Sequence, residues 1–421
     1  MRLLPDLAPA RENPAYRRLL IGGNLSSIGS SMTTFAVTLQ VWDISRSSFA
    51  VGALGFTFIP ALFVGLIGGS VADKVDRRQL VLIMSSCLAA VSALFAVQAF
   101  AGSRLLWPLY LLIMIQSVLA AISSPASRTF MPWLLPKEQL RAGIALSTLS
   151  GRVAMLAGPA LAGVVAGAWG LKVCYAVDAV SFAASLYATA RLPVMRAAVT
   201  PTASTRTLHS IAEGLRYIRR NPVLLASFLT DFDAMLLGLP VALFPALNAE
   251  HFGGRPQTLG LLTTAVGVGG LCSAVLSGPA ARVRRQGWGM LAGTMLWGAA
   301  IAGFGLARNL PLALGMLAIA GAADTLTVTF RSSMVQLITP DEFRGRVNSV
   351  EYIIGAGGSP IGSVEAGAVA ALTSPVFSAV SGGFGCVAVA AVIGLAFPAF
   401  RRYQGQVAAE PRPTAAAASA S

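Results

Sequence analysis

Charged residues are scarce in this chain. They make up 11% of its 421 residues, against roughly 25% in a soluble domain, and 55% of the residues are hydrophobic. Histidine occurs twice and cysteine four times, with no CxxC pair and no histidine–cysteine cluster, so we expect no metal site, no disulfide framework and no cofactor. The motifs HExxH, GxSxG and GxxxxGK[ST] are missing as well, which argues against an intramembrane enzyme and against a nucleotide-driven pump. This composition is typical of a membrane protein.

Long apolar runs dominate the chain, and about 20 residues are enough to cross a hydrocarbon core of ~30 Å as a helix. Twelve such runs are present, which predicts an all-α membrane protein with twelve transmembrane helices. The runs lie near residues 19–41, 49–71, 79–101, 106–126, 143–169, 173–190, 222–247, 258–281, 287–306, 311–335, 347–371 and 376–399.

Basic residues indicate the side of the membrane that each loop faces. If the N-terminus is cytoplasmic, 25 of the 31 lysines and arginines lie in the inner segments and five in the outer loops, with Arg152 inside the fifth run. Such a bias predicts a bacterial inner-membrane protein with both termini in the cytoplasm. The net charge of +14 is spread over seven short inner segments, so it does not indicate a nucleic-acid-binding domain.

The longest polar interval divides the chain, and its second part predicts an amphipathic helix on the inner membrane face. Asn13-Pro14 recurs 208 residues later as Asn221-Pro222, and residues 128–141 match residues 331–344 at an offset of 203. These offsets predict two six-helix bundles related by a parallel repeat. The predicted divisions are an N-terminal half at 1–190, a cytoplasmic linker at 191–221, a C-terminal half at 222–402 and a disordered tail at 403–421.

A short motif follows the second apolar run. Its glycine permits close helix packing, its aspartate can stabilise a helix N-terminus, and its basic residues anchor the loop at the inner surface. A simple positive-inside loop would explain only the basic pair. We interpret the segment as an inner-gate motif formed by Gly69, Asp73, Lys74, Arg77 and Arg78.

A second motif, Gly158-Pro159 with Gly163, lies in the fifth run. Proline frees a backbone carbonyl and bends a helix, and the glycines let a neighbouring helix approach. The pattern predicts a kink in span five. An ordinary packing face of small residues is the alternative interpretation.

Both motifs resemble those of the major facilitator superfamily. The first is similar to its Gly-x-x-x-Asp-Arg/Lys-x-Gly-Arg-Arg/Lys signature, with Asp76 in place of the usual glycine, and the second to the Gly-Pro motif of its antiporters. The stretches VWDISRSSFAVGALGF, LFPALNAEHFGGRPQTLGLLTTAVGVGGL and TPDEFRGRVNS resemble the subfamily of enterobactin exporters and drug-efflux relatives. The resemblance extends over residues 13–402. It implies a secondary transporter whose halves rock about a midplane site, working in export.

Ionisable residues inside apolar runs are costly and are therefore functional candidates. Asp231 and Asp233 lie near the middle of the seventh run, and their spacing makes them face nearly opposite ways on a helix. We therefore expect only one of them to line a cavity and to carry a coupling proton. Arg152, at a similar depth in the fifth run, is the predicted partner. A permanent ion pair that fixes helix packing is the alternative.

Asp324 and Glu365 are the next coupling candidates. Asp324 lies two turns before Arg331 in the tenth run, where a structural role is favoured, and Glu365 lies in the outer half of the eleventh run. Arg128 and Arg331 are related by the repeat and are predicted to act as a gate or loop anchor.

Two further acids are expected to have structural roles. Glu351 is close enough to the inner surface to pair with Arg344 or Arg346. Asp178, near the outer end of the sixth run, is expected at an interface.

The sequence thus predicts a monomeric exporter of small organic molecules, either siderophore-like compounds or lipophilic drugs. Without a nucleotide-binding motif, we expect coupling to proton entry, with the lipid bilayer as surroundings. An importer of the same fold and a non-coupled carrier are the alternatives.

Overall fold

The computed structural model describes residues 6–72, 76–193, 207–238, 241–275 and 284–405, and all regular elements in these ranges are helical. Short 3₁₀ turns at Leu54–Phe58 and Val241–Leu243 interrupt two of the helical stretches. The helices are α1 (Ala8–Glu12), α2 (Pro14–Ser45), α3 (Ser48–Ala53), α4 (Ile59–Ala72), α5 (Arg77–Phe100), α6 (Trp107–Arg128), α7 (Phe130–Leu134), α8 (Lys137–Trp169), α9 (Leu171–Ala190), α10 (Thr207–Arg220), α11 (Pro222–Leu237), α12 (Phe244–His251), α13 (Pro256–Val275), α14 (Gln286–Leu306), α15 (Leu310–Ile338), α16 (Asp341–Leu372), α17 (Pro375–Ala396) and α18 (Pro398–Arg401).

Polar caps set where several helices begin. Asn13 accepts hydrogen bonds from the backbone N–H groups of Ala15 and Tyr16 at 3.0 Å each. Asn221 caps α11 in the same way, so the repeated Asn-Pro pair marks a helix start in both halves. Asp76 caps α5 through Arg78 N at 2.9 Å. The residue that replaces the usual glycine of the motif therefore serves as a helix cap.

Ten helical stretches among the described residues are long and apolar enough to cross a membrane. They account for all of the predicted runs except the first and the eleventh, which correspond to α2 and α16. Those two runs are helical as well, but α2 carries a row of serines and threonines and α16 carries several ionisable residues. These polar and ionisable residues lower the mean hydropathy of both helices.

The helices pack in two groups. Helices α2, α4, α5, α6, α8 and α9 contact one another in the first group, and α11 and α13 to α17 do so in the second. The groups are joined mainly by α8 with α13 and by α3 with α16, and smaller contacts link α4 with α16 and α2 with α12. The amphipathic α10 packs on α16 and α11, where Ile218 is buried. Its apolar side thus covers part of the second group, and its place on the inner membrane face stays a prediction.

Glycines bring the joining helices into close contact. A Cβ atom on Gly163 would lie 3.0 Å from Gly260 Cα, and one on Gly367 would lie 3.2 Å from Gly52 Cα. Both crossings are near the end of one long helix and the start of another, on the side where α2 ends and α13 begins. We call this side the far face. Small residues are required there because the two backbones touch.

Candidate functional site

A cavity of about 580 Å³ lies between the two groups of helices. Helices α2 and α8 form one wall, and α13, α14 and α15 form much of the other. Most of its surface is apolar, with Phe35, Met155, Leu156 and Trp297 among the large side chains. Volumes of 300–1,000 Å³ with a few polar groups are typical of small-molecule sites.

A recess of about 240 Å³ adjoins the main cavity on the side of the second group. The two spaces share Val266, Trp297 and Asp324 as lining residues. The recess also touches Asp231 and Thr294, so it is more polar in character than the main cavity. The two acids of the site that line the recess, Asp231 and Asp324, therefore both lie on the side of the second group.

An ion-pair cluster lies beside the recess. The Arg331 guanidinium contacts the Asp231 carboxylate through Nη1 and the Glu351 carboxylate through Nη2, the second at 3.3 Å. Arg331 and Asp231 are both buried, and Glu351 is partly buried. A buried arginine with two carboxylates needs all three groups, since loss of one leaves uncompensated charge.

This cluster corrects two expected pairings. The sequence suggested Arg152 as the partner of the α11 aspartates, but Arg331 takes that place because α15 packs against α11 within the same group. Arg152 instead lines the main cavity from α8. Glu351 pairs with Arg331 and not with Arg344 or Arg346.

The two aspartates of α11 have different surroundings. Asp231 lines the recess and Asp233 does not, in keeping with their two-residue spacing on one helix. Asp233 is 4% exposed, and neither of its carboxylate oxygens has a hydrogen-bond partner among the described residues. The neighbouring Cys386 thiol donates to Thr294 O at 3.9 Å.

Asp324 lines both cavities, and its side chain is open to them. No hydrogen bond or ion pair of Asp324 is found in the described part of the chain. The sequence placed it on the same helix face as Arg331, yet the arginine is occupied by the two other carboxylates. Asp324 is therefore an acceptor on a cavity wall that lies within the electrostatic reach of Arg331 but makes no direct contact with it.

The other predicted residues lie away from the cavities. Glu365 is partly buried on α16 and lines neither space. Arg128 is exposed at the end of α6, unlike Arg331, its predicted counterpart in the repeat. Asp178 is fully buried inside the first group, where it accepts hydrogen bonds from Thr33 and Ser92 at 2.7 Å each. The interface position expected for Asp178 is thus replaced by a core position.

The span-five residues contact three different partners. Gly158 packs against Ser31 of α2, Pro159 lines the main cavity, and Gly163 forms the crossing with α13. Gly158 and Gly163 thus make the close helix contacts of a packing face, and the kink at Pro159 stays a prediction.

The inner-gate motif is described in part. Gly69 lies in α4, and Asp73 and Lys74 lie outside the described residues. Arg78 donates from Nη2 to Ala190 O at 2.6 Å, at the last turn of α9, and Arg77 begins α5. An arginine at the end of a helix satisfies an unpaired carbonyl and complements the helix dipole.

No group of metal-binding side chains occurs in the described ranges.

Thr294 is a residue of the site that the sequence did not single out. Its buried hydroxyl has no hydrogen-bond partner among the described residues, and a lone threonine in an apolar run gives no sign of this in the sequence.

Comparison with known proteins places the chain in context. A family model described as transmembrane secretion effector matches residues 5–415. Enterobactin exporter EntS from Shigella boydii serotype 18 (strain CDC 3083-94 / BS512) is 26% identical over 407 residues, covering 95% of this chain and 96% of the relative. The protein of the same name from Escherichia coli O139:H28 (strain E24377A / ETEC) matches with the same identity and coverage.

Solved structures share the fold at low identity. The nucleoside transporter NupG superposes with a TM-score of 0.71 at 15% identity, covering 92% of this chain and 99% of that structure. A bacterial homologue of the iron transporter ferroportin in an inward-facing state gives 0.64 at 17% identity, covering 92% and 98%. At such identities the likeness concerns the fold alone.

Proposed function

This chain belongs to the transmembrane secretion effector family, a family of multi-pass membrane transporters, and we propose that it exports small organic molecules by alternating access. The observation that carries the proposal is the cavity of about 580 Å³ between two groups of helices. A site between two rocking bodies can open to either side in turn. Relatives named as enterobactin exporters support the outward direction.

The proposed architecture has twelve spans in two six-helix halves, residues 1–190 and 222–402. The ten apolar stretches together with α2 and α16 make up this number. The crossing glycines support a parallel repeat, because Gly52 and Gly260 are 208 residues apart and Gly163 and Gly367 are 204 apart. The two crossings are then equivalent to each other, because span five meets span eight at one and span eleven meets span two at the other.

The orientation follows from the loop charges. With 25 basic residues on the N-terminal side, both termini are cytoplasmic and the far face is the outer one. Both glycine crossings lie at that face, so the halves are in contact outside and cargo enters from the cytoplasm. The inward-facing ferroportin homologue has a similar fold, which is compatible with this assignment.

Proton entry is the proposed energy source, with Asp231 as the coupling acid. Asp231 is the cavity-lining aspartate of α11 and shares Arg331 with Glu351. A proton on Asp231 would cancel its attraction for Arg331 and leave the arginine to Glu351 alone, which gives the cluster two arrangements. One charge moving down the membrane potential supplies about 2.3 kcal/mol per 100 mV.

Membrane vesicles test the direction of transport. Inverted and right-side-out vesicles are energised and incubated with a catecholate siderophore and, separately, with a lipophilic dye. Export predicts accumulation of at least one probe in inverted vesicles only. Accumulation in right-side-out vesicles alone would make the protein an importer, and counterflow exchange without accumulation would make it a non-coupled carrier.

The coupling residue is tested in the same vesicles. Asp231→Asn should lose proton-driven accumulation and keep counterflow exchange, since exchange needs binding and rocking but no net proton movement. Glu365→Gln, which neutralises an acid outside both cavities, is the matched control. Unchanged accumulation by Asp231→Asn would assign the proton to another acid, with Asp233 and Asp324 next in order.

A further inference from the structure

Negative charge exceeds positive charge around the recess. Asp231, Glu351 and Asp324 are arranged about a single cation, Arg331. The guanidinium contacts the first two carboxylates, and the third lines both cavities and makes no hydrogen bond or ion pair in the described ranges. A carboxylate in a partly dry cavity attracts a cation more strongly than one in water does.

An independent polar group points to a ligand at the same place. The Thr294 side chain is 1% exposed, lines the recess, and has no hydrogen-bond partner for its hydroxyl within the described chain. Buried hydroxyls are normally paired, and an orphaned one at a cavity marks a position that another molecule can satisfy. Its oxygen can accept a hydrogen bond from an N–H group.

The remaining surface of the cavity favours an apolar body on that molecule. Trp297 lines both spaces and offers an aromatic wall, and aromatic rings bind organic cations well. Arg152 also lines the main cavity, on the opposite half of the protein. An anionic cargo would have to rely on this one exposed arginine and would be repelled by the surplus charge of the recess.

We propose that the cargo is a lipophilic organic cation whose charged nitrogen docks between Asp324 and Thr294 while its apolar body fills the main cavity. The inference rests on the proposed transport function and names its substrate class. It favours an amine-bearing drug-like compound over a catecholate siderophore, because the catecholate carries the same sign of charge as the recess.

Two probes of nearly equal shape and opposite charge test the proposal. Tetraphenylphosphonium and tetraphenylborate are titrated onto the purified full-length protein in nanodiscs, with protein-free nanodiscs subtracted. Wild-type protein should bind the cation at least tenfold more tightly than the anion. Asp324→Asn should lower this preference to threefold or less, and Glu365→Gln should leave it unchanged.

Thermal unfolding of each variant verifies that it is folded. Preference for the anion, or a cation preference that survives in Asp324→Asn, would overturn the proposal. A preference lost equally in Glu365→Gln would also overturn it, because a general negative potential would then explain the binding.

A second pair of probes tests the contribution of Thr294. Octylamine has N–H donors, and octyltrimethylammonium has none. Thr294→Val should weaken octylamine binding about three- to tenfold and leave octyltrimethylammonium unchanged. Thr230→Val is the control, because the Thr230 hydroxyl already donates to Ala226 O at 2.8 Å. Equal effects on both probes, or no effect on either, would contradict the docking position.

Failure of this inference can be told from failure of the transport proposal. If vesicles accumulate cargo but the cation preference does not depend on Asp324, the substrate class is wrong and export stands. If the binding preference holds but no probe accumulates in any vesicle, the site is correct and the protein does not transport these probes actively.

Discussion

The two halves of the bundle bury their polar groups in different ways. In the N-terminal half, Asp178 is surrounded by hydroxyls and accepts hydrogen bonds from Thr33, Ser92 and, at 3.4 Å, Ser30. In the C-terminal half, Asp231 depends on a cation, Arg331, which it shares with another acid. Among the described residues, Asp178 has no cationic partner and Asp231 has no hydroxyl partner.

This difference indicates a division of labour between the halves. Hydroxyls that surround one acid form a satisfied network with a single favourable arrangement, which suits a scaffold. A cation shared by two acids has at least two arrangements, and orphaned groups such as the Asp233 carboxylate and the Arg331 Nε lie nearby. The C-terminal half therefore holds the groups that can change state, and the N-terminal half provides much of the apolar wall.

The largest effect should follow removal of Arg331. Arg331→Ala leaves Asp231 and Glu351 without their cation, which should destabilise the protein by about 3–5 kcal/mol. Its repeat mate Arg128 is exposed, so Arg128→Ala should change the unfolding free energy by no more than about 0.5 kcal/mol. Thermal unfolding in detergent measures both variants. Equal losses would show that the halves do not differ in the way described.

The Arg331 prediction has an internal control. Adding Asp231→Asn to Arg331→Ala removes one of the two stranded charges, so the double variant should be more stable than the single one. A double variant that is no more stable would mean that Asp231 and Arg331 do not depend on each other.

Helix positions were predictable because they depend on local features. Apolar runs of about 20 residues and the caps Asn13 and Asn221 act within one continuous stretch of the chain. The caps also give the proposed repeat a physical basis, since the same Asn-Pro pair begins α2 and α11.

The partner of Asp231 was not predictable in the same way. Sequence gives the depth of a residue along its helix, and Arg152 and Asp231 have similar depths. Which helices are neighbours depends on packing between segments 100 residues apart, as for Asp231 and Arg331. Likewise, only the assembled cavity reveals that the Thr294 hydroxyl lacks a partner.

The second-largest effect concerns the two glycine crossings of the far face, which should respond alike to a larger side chain. A Cβ on Gly163 would lie 2.8 Å from Pro256 O, so Gly163→Val overpacks the far face by about 1–3 kcal/mol. Because opening of the far face relieves this strain, the conformational equilibrium should shift roughly 5- to 150-fold toward an outward-open state. Gly367→Val should do the same through the other crossing.

Accessibility of a cavity cysteine measures this shift. Thr38→Cys lines the main cavity and can be placed in a variant without the four native cysteines. An impermeant thiol reagent should label it faster from outside when Gly163→Val is present. Gly151→Val on the same helix, where a Cβ meets nothing within 4 Å, should leave the rate unchanged. If Gly367→Val has no effect, the two crossings are not equivalent.

A smaller effect should follow Asp178→Asn. Asparagine can still accept from Thr33 and Ser92, which both donate to the same oxygen, but loses the charge that strengthens these hydrogen bonds. The expected cost is about 1 kcal/mol in thermal unfolding. Proton-driven accumulation in vesicles should persist, in contrast to Asp231→Asn. Loss of accumulation in a well-folded Asp178→Asn protein would assign part of the coupling to the N-terminal half.

The smallest effect concerns α10, which is attached to the C-terminal half. Glu213 accepts from Arg346 Nε at 3.0 Å, and both side chains are partly exposed. Partly exposed ion pairs contribute little and are screened by salt, so Glu213→Gln should cost about 0.5 kcal/mol or less and lose its effect in high salt.

The packing of α10 should matter more, because a Cβ on Gly214 would lie 2.5 Å from Arg346 O. Gly214→Val should therefore destabilise the protein more than Glu213→Gln does, independently of salt. Thermal unfolding at two ionic strengths measures both variants. A salt-sensitive loss in Glu213→Gln larger than that in Gly214→Val would mean that charge, and not the apolar contact of Ile218, holds α10 on its half.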